Sequence, residues 1–412
     1  MSRIVVVTPY FWPEIAASVP LMTSLVEDLV GRGHRVTVLT STPSSAAARA
    51  AARSGAAGPW VGRGDYRGAE VVRVRNPFAR RRGVAAKLAE YAFFCVWVMA
   101  RLLRLRGADV VFVSSNPPLF GLPVAWIAKW IRARVVYNLQ DVFPDSAVAS
   151  GLLPDRGWLV GLCRQMERAT YGAVDRVIAI SEEFAEHVLR ATPRADVVVI
   201  PNWIDTDAIR PVAAEENRFL AATGLRDRFI VLYAGNLGYL QRLDTVLDAA
   251  ALLRDLPDIA FVFVGQGQTR AAIEERARRE GLDHCHFFDY QPHEWIADVY
   301  SAGAVGIVPM RKGAGRSSVP SKTWTIMACA RPVITAIEAD SALAEAVRES
   351  DAGLVVEPED ARALADAIEK LYADAALRER LGRNGRAYVE AHLARPAITA
   401  RYEAALVEVC GA

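Results

Sequence analysis

The sequence has no CxxC pair. Its five cysteines, Cys95, Cys163, Cys285, Cys329 and Cys410, stand far apart. An odd, unpatterned set argues against a disulfide framework and suggests reduced cytosolic thiols. A charge excess is also lacking: 49 Lys and Arg face 47 Asp and Glu, for a net charge of +2. Nothing global therefore points to nucleic acid or to an acidic polymer. No GxGxxG follows the first strand, where Pro9 to Val19 holds no glycine, and none occurs at Gly265-Gln-Gly267, so a dinucleotide fingerprint is missing. The start, MSRIVVVTPYF, lacks a charged leader and a small-residue cleavage site, and reads as entering a strand without a signal peptide. The most apolar segment, VAAKLAEYAFFCVWVMARLLRL at 84–105, is uncharged only from Tyr91 to Ala100, with Lys87, Glu90, Arg101 and Arg104 around it. A span needs roughly 20 apolar residues, so this segment is too short and too interrupted to cross a bilayer.

What is present is alternation. The chain has 412 residues, 52% of them hydrophobic, which fits two α/β domains of roughly 200 residues each. Nearly continuous apolar runs at 4–8, 35–40, 69–74, 109–114, 134–138, 175–180 and 197–200 read as strands buried on both faces of a parallel sheet. Between the first two, Leu21, Leu25, Val26, Leu29 and Val30 make one helical face, stopped by Gly31-Arg32-Gly33-His34. A second series follows Pro201: 229–234, 259–264, 285–288, 303–308, 332–335 and 353–356, with helices at 242–254 and 268–280. The stretch Ser44–Gly58 reads as a loop. The predicted architecture is two doubly wound, Rossmann-like α/β domains facing across a cleft, with ligands beyond the carboxyl ends of the strands. The expected domains are 1–203, 204–390, and a final helix, 391–412, packing back toward the first.

Four constellations carry candidate chemistry. In Tyr233-Ala-Gly-Asn-Leu-Gly238, followed by Gln241 and Arg242, a glycine turn between strand and helix lets backbone N–H groups approach an anion; it would equally serve as an ordinary turn. In PMRKGAGRSSVPSKTWTIMAC at 309–329, Arg311, Lys312, Arg316 and Lys322 surround a glycine-containing loop, with Ser321 expected to cap the following helix. Lys322 then sits in a first turn, where the helix dipole disfavours a cation, so a bound anion would compensate; the alternative is a solvated basic loop. In Asn138-Leu-Gln-Asp141-Val-Phe-Pro-Asp145-Ser146, two carboxylates follow a strand's carboxyl end. They suit acid/base work or an Asx-type turn. Last, Arg73, Arg75, Arg80, Arg81 and Arg82 precede the apolar segment 84–105. Arg101, Arg104 and Arg106 follow its core, and Trp126, Lys129, Trp130, Arg132 and Arg134 come soon after. This is an interfacial helix with cationic flanks or a core helix with a snorkelling basic end.

The stretches TPYFWPE, GHRVTVLTSTP, SNPPLFGLP, LQDVFPDSAVASGLL, DRVIAISE, VIPNWID, LYAGNLG and VPSKTWTIMACARPVI occur in this order along nearly the whole chain. Together they resemble the family-4 retaining glycosyltransferases of GT-B fold, in the branch of colanic-acid and O-antigen fucosaminyltransferase-like enzymes. The resemblance implies a nucleotide diphosphate sugar, UDP-linked, in the second domain and a lipid-linked glycan acceptor on the first. It implies no cofactor and no metal, in keeping with the missing DxD pair and His/Cys clusters. Carried over, Gly235, Asn236 and Gly238 match the glycine turn at the donor phosphates and Lys322 the lysine of the VPSK motif; Gln241, Arg316, Ser317 and Thr325 are expected to bind the donor beside them. Pro13, Glu14 and Asn116 would lie on the acceptor side, with Asp141 and Asp145 catalytic. The chain departs from the wider family at Asn236 and Gln241, where Arg and Lys are usual, and at Ser317 and Thr325, where two glutamates are usual. Ala16-Ala17 replace a glycine pair, and no histidine occurs at 138–145, which leaves Asp141 in that place. The expected activity is retaining hexosyl transfer in cell-surface polysaccharide synthesis, in the cytoplasm on the anionic inner face of the membrane. The alternatives are a nucleotide-sugar 2-epimerase of the same fold and a non-catalytic polysaccharide-assembly partner.

Overall fold

The computed structural model describes residues 1–14, 18–43, 61–78, 84–105, 107–149, 153–154, 156–315 and 319–411. Ala16-Ala17, Ser44–Gly58, Arg80, Arg81, Arg82, Arg106, Arg316 and Ser317 lie outside these residues.

The apolar runs become strands because neither of their faces meets water. The first unit holds β1 (Arg3–Val7), β2 (Arg35–Ser41), β3 (Val61–Tyr66), β4 (Ala69–Val74), β5 (Val110–Ser114), β6 (Arg134–Leu139), β7 (Arg176–Ala179) and β8 (Val197–Val199). Every residue of β5 is buried. The strand order is β3-β4-β2-β1-β5-β6-β7-β8. All neighbours run parallel except β3, which pairs antiparallel with β4 at the edge. Pattern reading missed β3. Its sequence, Val-Gly-Arg-Gly-Asp-Tyr, has no buried residue, as an edge strand can afford.

The second unit holds β9 (Phe229–Ala234), β10 (Ile259–Val264), β11 (Cys285–Phe288), β12 (Val305–Pro309), β13 (Val333–Ala336) and β14 (Gly353–Val356). They are ordered β11-β10-β9-β12-β13-β14, all parallel. Phe261, Phe263, Val246, Leu247, Ile334 and Ile368 belong to a core on one face of this sheet.

Each sheet reverses its strand order once, between β1 and β5 and between β9 and β12. Loops at such a reversal diverge and leave a crevice at the carboxyl ends. Residues 8–14 and 115–120 leave β1 and β5, while 235–238 and 310–321 leave β9 and β12. The motif-bearing loops therefore fall at the two places where the topology opens.

The units are Met1–Pro144, Pro154–Asn202 and Pro396–Ala412 on one side, and Asp145–Leu153 with Trp203–Arg395 on the other. Most of helix Arg395–Gly411 thus packs in the first unit. Tyr402 is fully buried and its hydroxyl donates to Asn138 Oδ1 (3.3 Å), Glu403 meets His34 Nε2 (2.8 Å), and Glu408 meets Arg176 (2.6 Å). Helix Val19–Gly31 buries Met22, Leu25, Val26 and Leu29. Leu21 and Val30 of the expected face are only half-buried, since a 3.6-residue period brings Met22 into the stripe in their place.

Candidate functional site

In the second unit, β9 runs into Gly235, and the chain turns through Gly238 into a short 3-10 segment, Tyr239–Gln241, before helix Leu243–Leu252. Gly235 has φ +134°, in the region that favours glycine. A Cβ there would come within 3.2 Å of Lys322 Nζ and 3.3 Å of its Cε. The turn is held internally: Tyr233 Oη donates to the Asn236 carbonyl (2.5 Å), Gly238 N to Gln241 Oε1 (3.1 Å), and Leu237 N to the Gln266 carbonyl (2.9 Å). Gln241 is thus spent on its own loop. Gly265 and Gly267 serve packing: a Cβ on either would collide with the backbone of Gly235 or Leu237.

The loop after β12 closes on this turn. Arg311 N donates to the Leu240 carbonyl (2.6 Å). Glu338 accepts from Gly313 N and Gly315 N, and Glu359 accepts from Lys312 N while pairing with Arg242 (3.4 Å). Helix Lys322–Ala328 follows. Ser321 does not cap it; its backbone is already helical and its side chain makes no cap bond. Thr325 is half-buried on the same helix, one turn on from Lys322.

Lys322 is the outlier. Its Nζ is sealed from solvent and, among the described residues, has no hydrogen-bond partner. It sits 3.7 Å from the centroid of the buried Tyr233 ring, a cation–π contact. Burial pulls its pKa from the ordinary 10.5 down to about 7. An amine stripped of water and given no anion is costly in its charged form, and a bound phosphate would relieve that cost. Should this turn hold a phosphate group, Gly235→Ala would weaken its binding at least tenfold, by displacing Lys322 and straining a positive φ. Calorimetric titration checks this, with circular dichroism unchanged.

In the first unit, the loops carrying Pro13 and Glu14, Asn116, and Asp141 leave the adjacent strands β1, β5 and β6. Pro13, Glu14 and Asn116 are half-buried and Asp141 is exposed. Asp141 lines a recess with Tyr137, Glu167, Thr170 and Tyr171. Glu167 is committed, accepting from Tyr171 Oη (2.7 Å) and meeting His187 Nε2 (2.9 Å). The Tyr137 phenol is pushed up by burial first, then by the Glu167 and Asp141 carboxylates. Asp145 begins helix Asp145–Ala149 and groups with the second unit, so the structure separates the two carboxylates by unit. The sequence showed Lys87 only as a charge interrupting the apolar segment; its Nζ donates to Tyr10 Oη (2.8 Å) and pairs with Glu90 (3.0 Å). Tyr10 adjoins the Pro13–Glu14 loop, and burial with the Glu90 charge pushes its pKa up to about 12.

The apolar segment forms helix Val84–Leu102, with Phe94, Val98 and Leu102 in the core and Leu88 and Val96 exposed. Phe94 stacks on Phe120. No described helix is long and apolar enough to cross a membrane. Arg73 is withdrawn from any surface role: it is buried and donates to the Trp12 carbonyl (2.7 Å). Arg134 is paired with Asp175 (3.0 Å).

Comparison with known proteins agrees with the two parallel-sheet α/β units. Residues 19–203 match a family model described as glycosyl transferase 4-like domain. Residues 216–388 match one described as glycosyl transferases group 1. A relative in Escherichia coli K12, the putative colanic acid biosynthesis glycosyl transferase WcaI, is 28% identical over 367 residues, covering 87% of this chain and 89% of its own. Sucrose-phosphate synthase from Thermosynechococcus elongatus superposes with TM-score 0.78 at 21% identity, covering 99% of both chains. Anabaena HepE, solved in complex with UDP-glucose, does so with TM-score 0.74 at 16% identity, over 99% of this chain and 100% of its own.

Proposed function

We propose, from the premise that this chain belongs to the GT-B glycosyltransferases, that it moves a hexosyl group with retention from a UDP-linked donor to a lipid-linked saccharide in polysaccharide biosynthesis. The observation that carries the donor half is Lys322, whose buried amine has no hydrogen-bond partner among the described residues and lies beside a glycine turn at the switch point of the second sheet. Gly235, Asn236 and Gly238 offer backbone approach, and Lys322 meets the diphosphate, with Arg316, Ser317 and Thr325 as the further donor residues of the reading. The negative charge that develops on the departing diphosphate falls where Lys322 waits, so the cation stabilises the transition state more than the ground state. The reading requires no metal, since a side-chain cation and backbone N–H dipoles meet that charge. Asp141 serves the acceptor hydroxyl, with Asp145 as the second carboxylate and Pro13, Glu14 and Asn116 lining the acceptor side. The 2-epimerase and the non-catalytic partner are not favoured, because the matching domain families and the relative are glycosyl transferases. HepE was solved with UDP-glucose, which supports UDP as the first nucleotide to try. A thermal-shift screen of UDP, GDP and dTDP tests the reading: UDP at 100 times its Kd is expected to add about 2.7 kcal/mol. No shift with any of the three would remove the donor assignment.

The acceptor and membrane half rests on part of the expected basic-aromatic region, Trp126, Lys129, Trp130 and Arg132, joined by Trp158. Trp126 and Trp130 on helix Gly121–Trp130, and Trp158 on helix Trp158–Ala173, are 62%, 75% and 82% exposed. These two helices pack side by side, and Val84–Leu102 packs against the first. With Leu88, Val96, Leu159 and Leu162 also exposed, and Lys129 and Arg132 exposed beside them, the layer presents tryptophan and cation together. That mixture suits the headgroup level of an anionic bilayer. Changing Trp126, Trp130 and Trp158 to Ser is expected to abolish flotation with anionic liposomes without loss of fold. Wild-type flotation should also fall at high salt. Wild type that stays in the soluble fraction at low salt would dispose of the membrane surface.

A further inference from the structure

The second unit has an open recess of about 340 Å³ that the donor reading does not use. It lies at the amino ends of β12 and β13, whereas the glycine turn and the loop before Lys322 leave the carboxyl ends of β9 and β12. The length of a five-residue strand, roughly 16 Å, separates the two places. Its walls are Arg331, Arg378, Arg383 and Glu379, with small apolar residues such as Ala304 and Pro332 between them.

Three arginines facing one carboxylate leave the recess positive, and they are not equally occupied. Arg378 is locked in place, donating to the Leu371 and Tyr372 carbonyls with its guanidinium over the Phe229 ring. Among the described residues Arg383 meets only Glu379, at 3.6 Å, with both side chains about 70% exposed, an arrangement worth little and easily re-aimed. Arg331 has no hydrogen-bond acceptor and no carboxylate among the described residues, and its Nε is sealed from solvent. A guanidinium carries five N–H donors, and burying one unmet is costly. Burial lowers its pKa from the ordinary arginine value.

The surrounding backbone is shaped to bring Arg331 there. Ala330 takes φ +53°, turning the chain sharply at the end of helix Lys322–Ala328. Gly382 permits the close approach of helix Ala375–His392, since a Cβ there would fall 2.2 Å from the Ala330 carbonyl oxygen. The recess is therefore formed by two elements pressed together around a guanidinium whose Nε has no partner among the described residues.

We propose that this recess is a second anion site, which takes the phosphate group of a small phosphorylated molecule on Arg331 and Arg383. Planar, forked donors match a phosphate's oxygens in pairs. The volume, at the low end of small-molecule pockets, leaves room for a monosaccharide-sized remainder against Ala304 and Pro332. The site stands apart from the donor reading, and helix Lys322–Ala328 spans between them, with Lys322 at one end and Arg331 just beyond the other.

The test uses the full chain with the donor site saturated by UDP, titrated with inorganic phosphate and separately with glucose 1-phosphate, followed by phosphorus NMR and calorimetry. Saturable binding of either probe is expected, weakened at least tenfold in Arg331→Gln and three- to tenfold in Arg383→Ser. UDP affinity should stay within twofold of wild type in both. Arg383 is exposed, so its variant keeps the test decisive should Arg331→Gln fail to fold. Tighter binding of glucose 1-phosphate than of phosphate would assign the remainder of the recess to a sugar, and equal binding would assign a phosphate site alone. Absence of saturable binding, or binding indifferent to Arg383→Ser, would overturn the proposal.

Discussion

Lys322→Ala is expected to weaken UDP binding by about 1.5–3 kcal/mol, the scale of hydrogen bonds to charged groups, or roughly 10- to 150-fold. Turnover should fall further, because the diphosphate gains charge as the glycosidic bond breaks and the same cation then matters more. Acidity makes the expectation more specific. In the ligand-free protein the Lys322 amine titrates near pH 7, and a bound diphosphate favours its charged form. Between about pH 7 and the raised value of the complex, binding therefore takes up a proton, and UDP affinity falls as pH rises. Lys322→Ala should lose both the affinity and this proton uptake, which calorimetry in buffers of different ionisation enthalpy reads directly. Folding obeys the same linkage. The folded pKa lies below the unfolded one, so the unfolded chain holds more protons between about pH 7 and 10.5. Stability of the ligand-free protein then rises with pH through that window. Wild-type proton uptake of zero at pH 8 would place Lys322 outside the diphosphate's reach.

Asp141→Asn should lower turnover by a factor on the order of 10²–10⁴ while leaving UDP affinity unchanged. The side chain keeps its shape and loses its charge. It is exposed just beyond the carboxyl end of β6 and lines a recess with Glu167, which Tyr171 and His187 engage. Initial rates with a lipid-linked acceptor, beside UDP titrations of the same preparation, separate chemistry from donor binding. Asp145→Asn is the informative companion. A collapse of turnover there with near-normal Asp141→Asn would move the role four residues along.

How much could be read in the chain follows from where burial leaves a mark. Runs such as Ile-Ala-Phe-Val-Phe-Val at 259–264 are apolar at every position because both faces of β10 are covered, and strands of that kind were legible to within two residues. β3 was not, because an edge strand holding Gly62 and Gly64 has no pattern to show. Lys322 was legible as a cation in a first helical turn. The Tyr233 ring beneath it was not, since nothing in a buried strand sequence tells which aromatic faces a lysine 89 positions later. Arg73 misled for the same reason: a charged letter reads as surface, and its partner, the Trp12 carbonyl, is a backbone atom without a letter of its own. The exposed tryptophans were visible as residues, but only the packing of the two helices that carry them made them a layer.

The path of the chain has a further consequence for how the protein could be taken apart. Apart from the short excursion Asp145–Leu153, it leaves the first unit after Asn202 and returns at Pro396. These two crossings run beside each other: Ile204 N donates to the Leu393 carbonyl (2.9 Å) and Arg395 N to the Ile204 carbonyl (3.0 Å). In connectivity the long stretch from Trp203 to Arg395 is an insert, entering and leaving through neighbouring points, as accepted guest domains do. A fragment ending at residue 203 would be cut from Ile398, Tyr402 and Leu406, all buried, and would expose the core that they cover. Joining Asn202 to Pro396 through a few glycines would keep that helix in the chain, and the excised stretch could be returned as a separate polypeptide.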